Sequence, residues 1–83
     1  MKPQIIDPRY VNRVDRNPSY RVDFWTDQSV SEEWKLSQVT DIAEVLLWAN
    51  EHSAGRTFVI YAEFPYENGH GMIRLLGNEP PGV

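Results

Sequence analysis

The sequence predicts a two-layer α+β domain in ββαββ order: a four-stranded, mostly antiparallel sheet built from two hairpins, with one main helix packed across one face. Three observations lead there. Residues 19 to 36 and 56 to 77 each hold two runs in which apolar and polar side chains alternate, the period of a strand. Between them lies one segment with helical spacing and helical punctuation. Asn68-Gly69 separates the last two runs, and Asn-Gly is the strongest short hairpin signal.

Residues 1 to 18 read as a basic N-terminal arm. Asp7-Pro8 and Asn17-Pro18 punctuate it as a helix start and stop, so a short helical piece is expected between them, with Tyr10, Val11 and Val14 on one side and Arg9, Arg13 and Arg16 on the other. Two or three turns need docking to be stable. Residues 1 to 21 carry Lys2, Arg9, Arg13, Arg16 and Arg21 against Asp7 and Asp15, a charge of +3, which leaves −7 for the rest of a chain whose net charge is −4. The arm is therefore expected to lie back on the acidic body, or to hold an acidic partner.

The domain proper spans residues 19 to 77. Tyr20, Val22 and Phe24 alternate with Arg21, Asp23 and Trp25, and Trp34 and Leu36 alternate with Glu33 and Lys35, which makes the first hairpin. Facing Phe24 with Trp34 also sets Val22 against Leu36 and Asp23 against Lys35, so apolar and charged pairs agree on one register. The helix runs from a cap at Thr40, with Ser37 as the alternative, to Gly55, and Glu44 stands where a capping carboxylate reaches back. At about 100° per residue, Val39, Ile42, Ala43, Leu46 and Ala49 share its apolar face, with Val45 and Leu47 at the margins and Trp48 on the opposite side. In the second hairpin, a two-residue turn at Asn68-Gly69 pairs Phe64 with Ile73, Ala62 with Leu75 and Glu63 with Arg74. Glu67 and His70 then flank a turn, and Gly71 opens the strand. Residues 78 to 83 read as a disordered tail.

The run from Trp34 to Arg74, notably Asp-Ile-Ala-Glu-Val-Leu-Leu-Trp-Ala and Gly-Arg-Thr-Phe, resembles short uncharacterised bacterial proteins of ββαββ order. The resemblance implies the fold and carries no functional residue with it.

Composition narrows the function. At 83 residues with 41% hydrophobic and 24% charged side chains, the chain is one small folded domain, near the lower limit of what one core can stabilise. It has no cysteine, which excludes disulfides, thiolate metal sites and cysteine nucleophiles and suits a reducing cytoplasm. No apolar run is long enough to cross a bilayer, so no membrane partner is expected, and the net negative charge argues against nucleic acid.

Residues suited to chemistry are few. His52 falls in the last helical turn, where an imidazolium complements the helix dipole, and His70 with Glu63 and Glu67 is the best metal cluster available, although those carboxylates need not converge. Ser29, Ser31, Ser37 and Ser53 read as loop or cap serines, and Glu32 and Glu33 point to opposite faces of a strand. Gly69-His70-Gly71 is too short to cradle a phosphate. No catalytic residue, cofactor or metal is therefore assigned.

Aromatic and apolar surface remains. With Phe24, Trp34, Phe58, Ile60, Ala62, Phe64, Ile73 and Leu75 under the helix, the other sheet face shows Trp25, Val59, Tyr61, Met72 and Leu76. Together with Trp48 these form the candidate interaction surface, unless Ile5, Ile6, Tyr10, Val11 and Val14 of the arm cover it. The expected function is a non-enzymatic protein-interaction domain that self-associates as a homodimer or binds a protein partner. The alternatives are an acidic binding protein of the immunity-protein or nucleic-acid-mimic kind and a small enzyme or metal-binding protein.

Overall fold

The structure, a computed structural model, describes residues 1–7 and 18–80, the side chain of Ser31 excepted. The expected helical piece of the arm falls almost wholly outside these residues. Strands β1 (Ser19–Thr26) and β2 (Ser29–Leu36) precede helix α1 (Ile42–His52), and strands β3 (Thr57–Tyr66) and β4 (Gly69–Leu76) follow it. The four strands form one sheet in the order β2-β1-β3-β4, antiparallel throughout. The α+β class and the ββαββ order are those expected from the sequence.

The first hairpin is tighter than expected, the second turns one residue earlier, and both registers differ by two residues. In the first, the loop is only Asp27-Gln28, with Asp27 at φ 56°, so Val22 rather than Phe24 faces Trp34, and Tyr20 faces Leu36. A bulge between Phe24 and Trp25 on β1 and their partners restores the face that so short a turn would have reversed. Arg21 then stands opposite Lys35, and Asp23 opposite Glu33, so the expected match of Asp23 with Lys35 fails. The charges are satisfied along β1 and diagonally to β2 instead. Arg21 Nε donates to Asp23 at 2.8 Å, and its Nη2 lies 2.7 Å from Glu33.

In the second hairpin the turn is Glu67-Asn68, with Glu67 at φ 50°, not Asn68-Gly69. Ala62 thus faces Ile73, and Phe64 faces Gly71. A Cβ at position 71 would run into the Phe64 ring, so Gly71 serves as the floor on which that ring lies. A further irregularity between Ile60 and Tyr61 sets Leu76 opposite Ile60. Ile60 belongs to the helix-side core, so Leu76, expected on the outer face, is turned toward the helix side.

The main core joins Val22, Phe24, Val39, Val45, Ala49 and Ile60, with Tyr20, Leu36, Leu46, Trp48 and Phe58 packed around it. The helix therefore sits in a different phase from the one its spacing suggested. Val45 and Ala49 face the sheet, whereas Ile42 and Leu47 are exposed. Residues 42 to 49 are apolar at every position but Glu44, so their pattern leaves the phase open, and the bulkiest ring settles on the sheet. Asp41 is the N-cap in place of Thr40, its carboxylate accepting from Ala43 N at 2.8 Å. Glu44 does reach back, accepting from Thr40 Oγ1 at 3.2 Å.

An 11-residue helix is about 16 Å long and covers only part of the sheet. It lies over the β1–β2 side, where Trp48 meets Phe24 and Trp34. Ile73 and Leu75, expected in the core, are 55% and 47% exposed as a result, and Trp34, also expected there, is 43% exposed on the edge strand β2.

Candidate interaction surface

The outer sheet face is closed at its centre. Trp25, Val59 and Tyr61 form a second small core there, buried almost completely. Around it runs a polar network that the sequence reading did not separate from ordinary surface charge. Asp23 is buried and held by Arg21, whose guanidinium is pushed further above its already high range by the hydrogen bond to Asp23. Lys35 stands 4.0 Å from Glu63. The Tyr61 phenol donates to the Glu79 carboxylate, and burial together with that contact pushes its pKa up to about 12. Glu79 lies in the stretch read as a tail, so residues beyond β4 reach this face. Ile5 and Ile6 of the arm do not cover it, being exposed, and Tyr10, Val11 and Val14 lie outside the described residues.

Trp48 belongs to the helix–sheet junction. Its ring lies 5.9 Å from Phe24 and 5.5 Å from Trp34, and it stacks on His52 at 4.3 Å with the planes 22° apart. Contact with the sheet departs from the expectation that placed Trp48 on the opposite side of the helix. Arg56 closes the same end of the helix. It donates to the carbonyls of Ser53 and His52, lies 4.6 Å over the Phe24 ring and pairs with Glu32 at 2.6 Å. That hydrogen bond holds the Glu32 carboxyl below its ordinary range. An open groove of ≈ 220 Å³ beside Trp48 is floored by Leu36, Val39 and Val45.

The six residues singled out from the sequence therefore part company. Trp25, Val59 and Tyr61 are buried together, Trp48 is half-buried on the other side of the sheet, and only Met72 and Leu76 are exposed, at 44% and 40%. Those two lie on β4, an edge strand, beside Ile73 and Leu75, which the sequence reading placed in the core. The exposed apolar side chains of β4 are thus Met72 on the outer face, opposite Glu63, and Ile73 and Leu76 on the helix side, with Leu75 between them. A signal for them was present: from Gly71 to Leu76 the only charged residue is Arg74, and its Nη1 donates to Gly77 O at 2.7 Å.

Among the described residues no group of three or more His, Asp or Glu side chains is placed to hold a metal ion, and Glu63 is directed to Lys35 rather than toward His70. No described helix is long and apolar enough to cross a membrane. No known protein family, curated protein or solved structure matches the chain.

Proposed function

We propose that this protein is a small, non-enzymatic interaction domain that binds a protein chain along the free edge of β4. One observation carries the reading: the edge strand presents four large apolar side chains, Met72, Ile73, Leu75 and Leu76, each 40% to 55% exposed. Exposed apolar surface of this kind on a small domain marks an interface, and the outer edge of β4, unpaired among the described residues, offers main-chain hydrogen bonds to match. The binding surface is shifted by one strand from the outer face that the sequence suggested, because Trp25, Val59 and Tyr61 are already buried.

Affinity capture with the intact chain tests this, using Ile73→Lys and, as a control on the exposed helix face, Leu47→Lys. Proteins bound by the wild type should be lost with Ile73→Lys and kept with Leu47→Lys. Equal retention by both variants would remove β4 as the binding surface.

A further inference from the structure

We propose that the occupant of the β4 edge is β4 of a second copy, added antiparallel about a two-fold axis at Ile73. This rests on the interaction-domain reading and names its partner.

Backbone geometry sets what the edge offers. A two-residue hairpin loop closes on a hydrogen-bonded pair, so Tyr66–Gly69, Phe64–Gly71 and Ala62–Ile73 exchange hydrogen bonds across β3 and β4. The N–H and C=O groups of His70, Met72 and Arg74 consequently point away from the sheet. Such a row recruits another strand unless it is guarded by charge, proline or an inward-pointing lysine. β4 contains no acid, no lysine and no proline.

Side chains then select the register. A two-fold at Met72 sets His70 opposite Arg74 of the second copy, two basic groups face to face. One at Gly71 pairs glycine with glycine. With the axis at Ile73, Met72 faces Arg74 of the second copy, and Ile73, 55% exposed on the helix side, faces itself. Ala62 and Ile73 of each copy then make one continuous apolar row. The opposite edge of the sheet bears Glu32, Glu33 and Lys35 and a bulge, so pairing stops at two copies and does not propagate into a filament.

The chain has no cysteine, which makes single-cysteine variants of the full chain unambiguous. Ile73 occupies a non-hydrogen-bonded position at this edge, where facing Cα atoms come within about 4.5 Å, inside the disulfide range. Under mild oxidation Ile73→Cys should give linked dimers roughly tenfold faster than Leu47→Cys, because the interface raises the effective concentration. Sedimentation velocity should show wild-type dimers and monomeric Ile73→Lys with an unchanged circular-dichroism spectrum. A wild type that stays monomeric overturns the proposal, as does cross-linking no faster at 73 than at 47, or faster at Met72→Cys. If the wild type is monomeric yet Ile73→Lys still abolishes capture of a foreign protein, the second-copy proposal fails while the interaction-domain reading stands. Loss of both signals removes both.

Discussion

The two edge strands, β2 and β4, are equal in length and treated oppositely. β2 carries Glu32, Glu33 and Lys35, a bulge at its turn end and Trp34 packed against Trp48 of the helix. β4 has His70, an Arg74 tied back to Gly77, two glycines and four exposed apolar side chains. Overall charge and hydropathy do not produce this contrast; it follows from where one short helix lands. Because α1 covers the β1–β2 side, its sequence neighbours complete a core there, and the β4 side keeps apolar residues 40% to 55% exposed. Guarding charge on one edge and exposed apolar surface on the other would let the proposed β4 interface form without polymerising.

The largest effect expected from this asymmetry is the difference between Trp48→Ala and Ile73→Ala. Trp48 touches Phe24, Trp34 and His52, and truncating a buried aromatic costs about 3–5 kcal/mol; at half burial, the low end, about 3 kcal/mol, is expected. Ile73→Ala should change monomer stability by less than about 0.5 kcal/mol, as at other exposed positions. Urea denaturation of both variants, at concentrations below self-association, measures the gap. Equal costs would mean that the β4 side is as well covered as the β2 side.

Next comes Gly77, where the chain leaves β4. It sits at φ 85°, and a Cβ there would press on the Phe58 carbonyl oxygen, a backbone atom that cannot move aside. Gly77→Ala should cost about 1–3 kcal/mol, the range for a strained backbone position. It should also loosen the Arg74 contact with Gly77 O, freeing a charge along the bare edge. Thermal denaturation gives the first quantity, and hydrogen exchange at β4 amides gives the second. An unchanged melting curve would show that the chain can leave the strand by another route.

Much of this fold was legible in the sequence. Alternation fixed all four strands, and Gly55 and Glu44 marked the helix, because period and punctuation are local properties. Register was less accessible. Asn68-Gly69 named the right hairpin but the wrong pair of turn residues, since the match of Phe64 with Gly71 is a tertiary choice between a ring and an empty space. Helical phase failed for a related reason: with apolar residues almost all round from Ile42 to Ala49, angular averaging favours Leu46, whereas the sheet selects the largest ring within reach, Trp48. The candidate surface suffered from both errors. A single bulge moved Leu76 to the helix side, and the burial of Trp25, Val59 and Tyr61 depends on contacts distant in sequence, such as that of Tyr61 with Glu79.

The smallest effect concerns that contact, a hydrogen bond that ties residues beyond β4 to the closed outer face. Tyr61 donates to Glu79, and its phenol is pushed up to about 12 by burial first and by the carboxylate second. Folding thus favours the protonated phenol. Its contribution to stability is whole below pH 10, the ordinary tyrosine value, and is lost as pH rises from there toward 12, because only the unfolded chain releases the proton freely in that window. Tyr61→Phe should cost about 1 kcal/mol at neutral pH, the worth of an ordinary hydrogen bond, since exposed Glu79 can return to water. More tellingly, it should remove part of the alkaline loss of stability that the wild type shows. Denaturation curves for the two proteins between pH 9 and 12 carry the comparison, supported by absorbance titration, in which one of the 4 tyrosines should ionise late. Parallel alkaline limbs would show that the outer face is held closed without the Tyr61–Glu79 contact, and that the difference between the two sides of the sheet owes nothing to it.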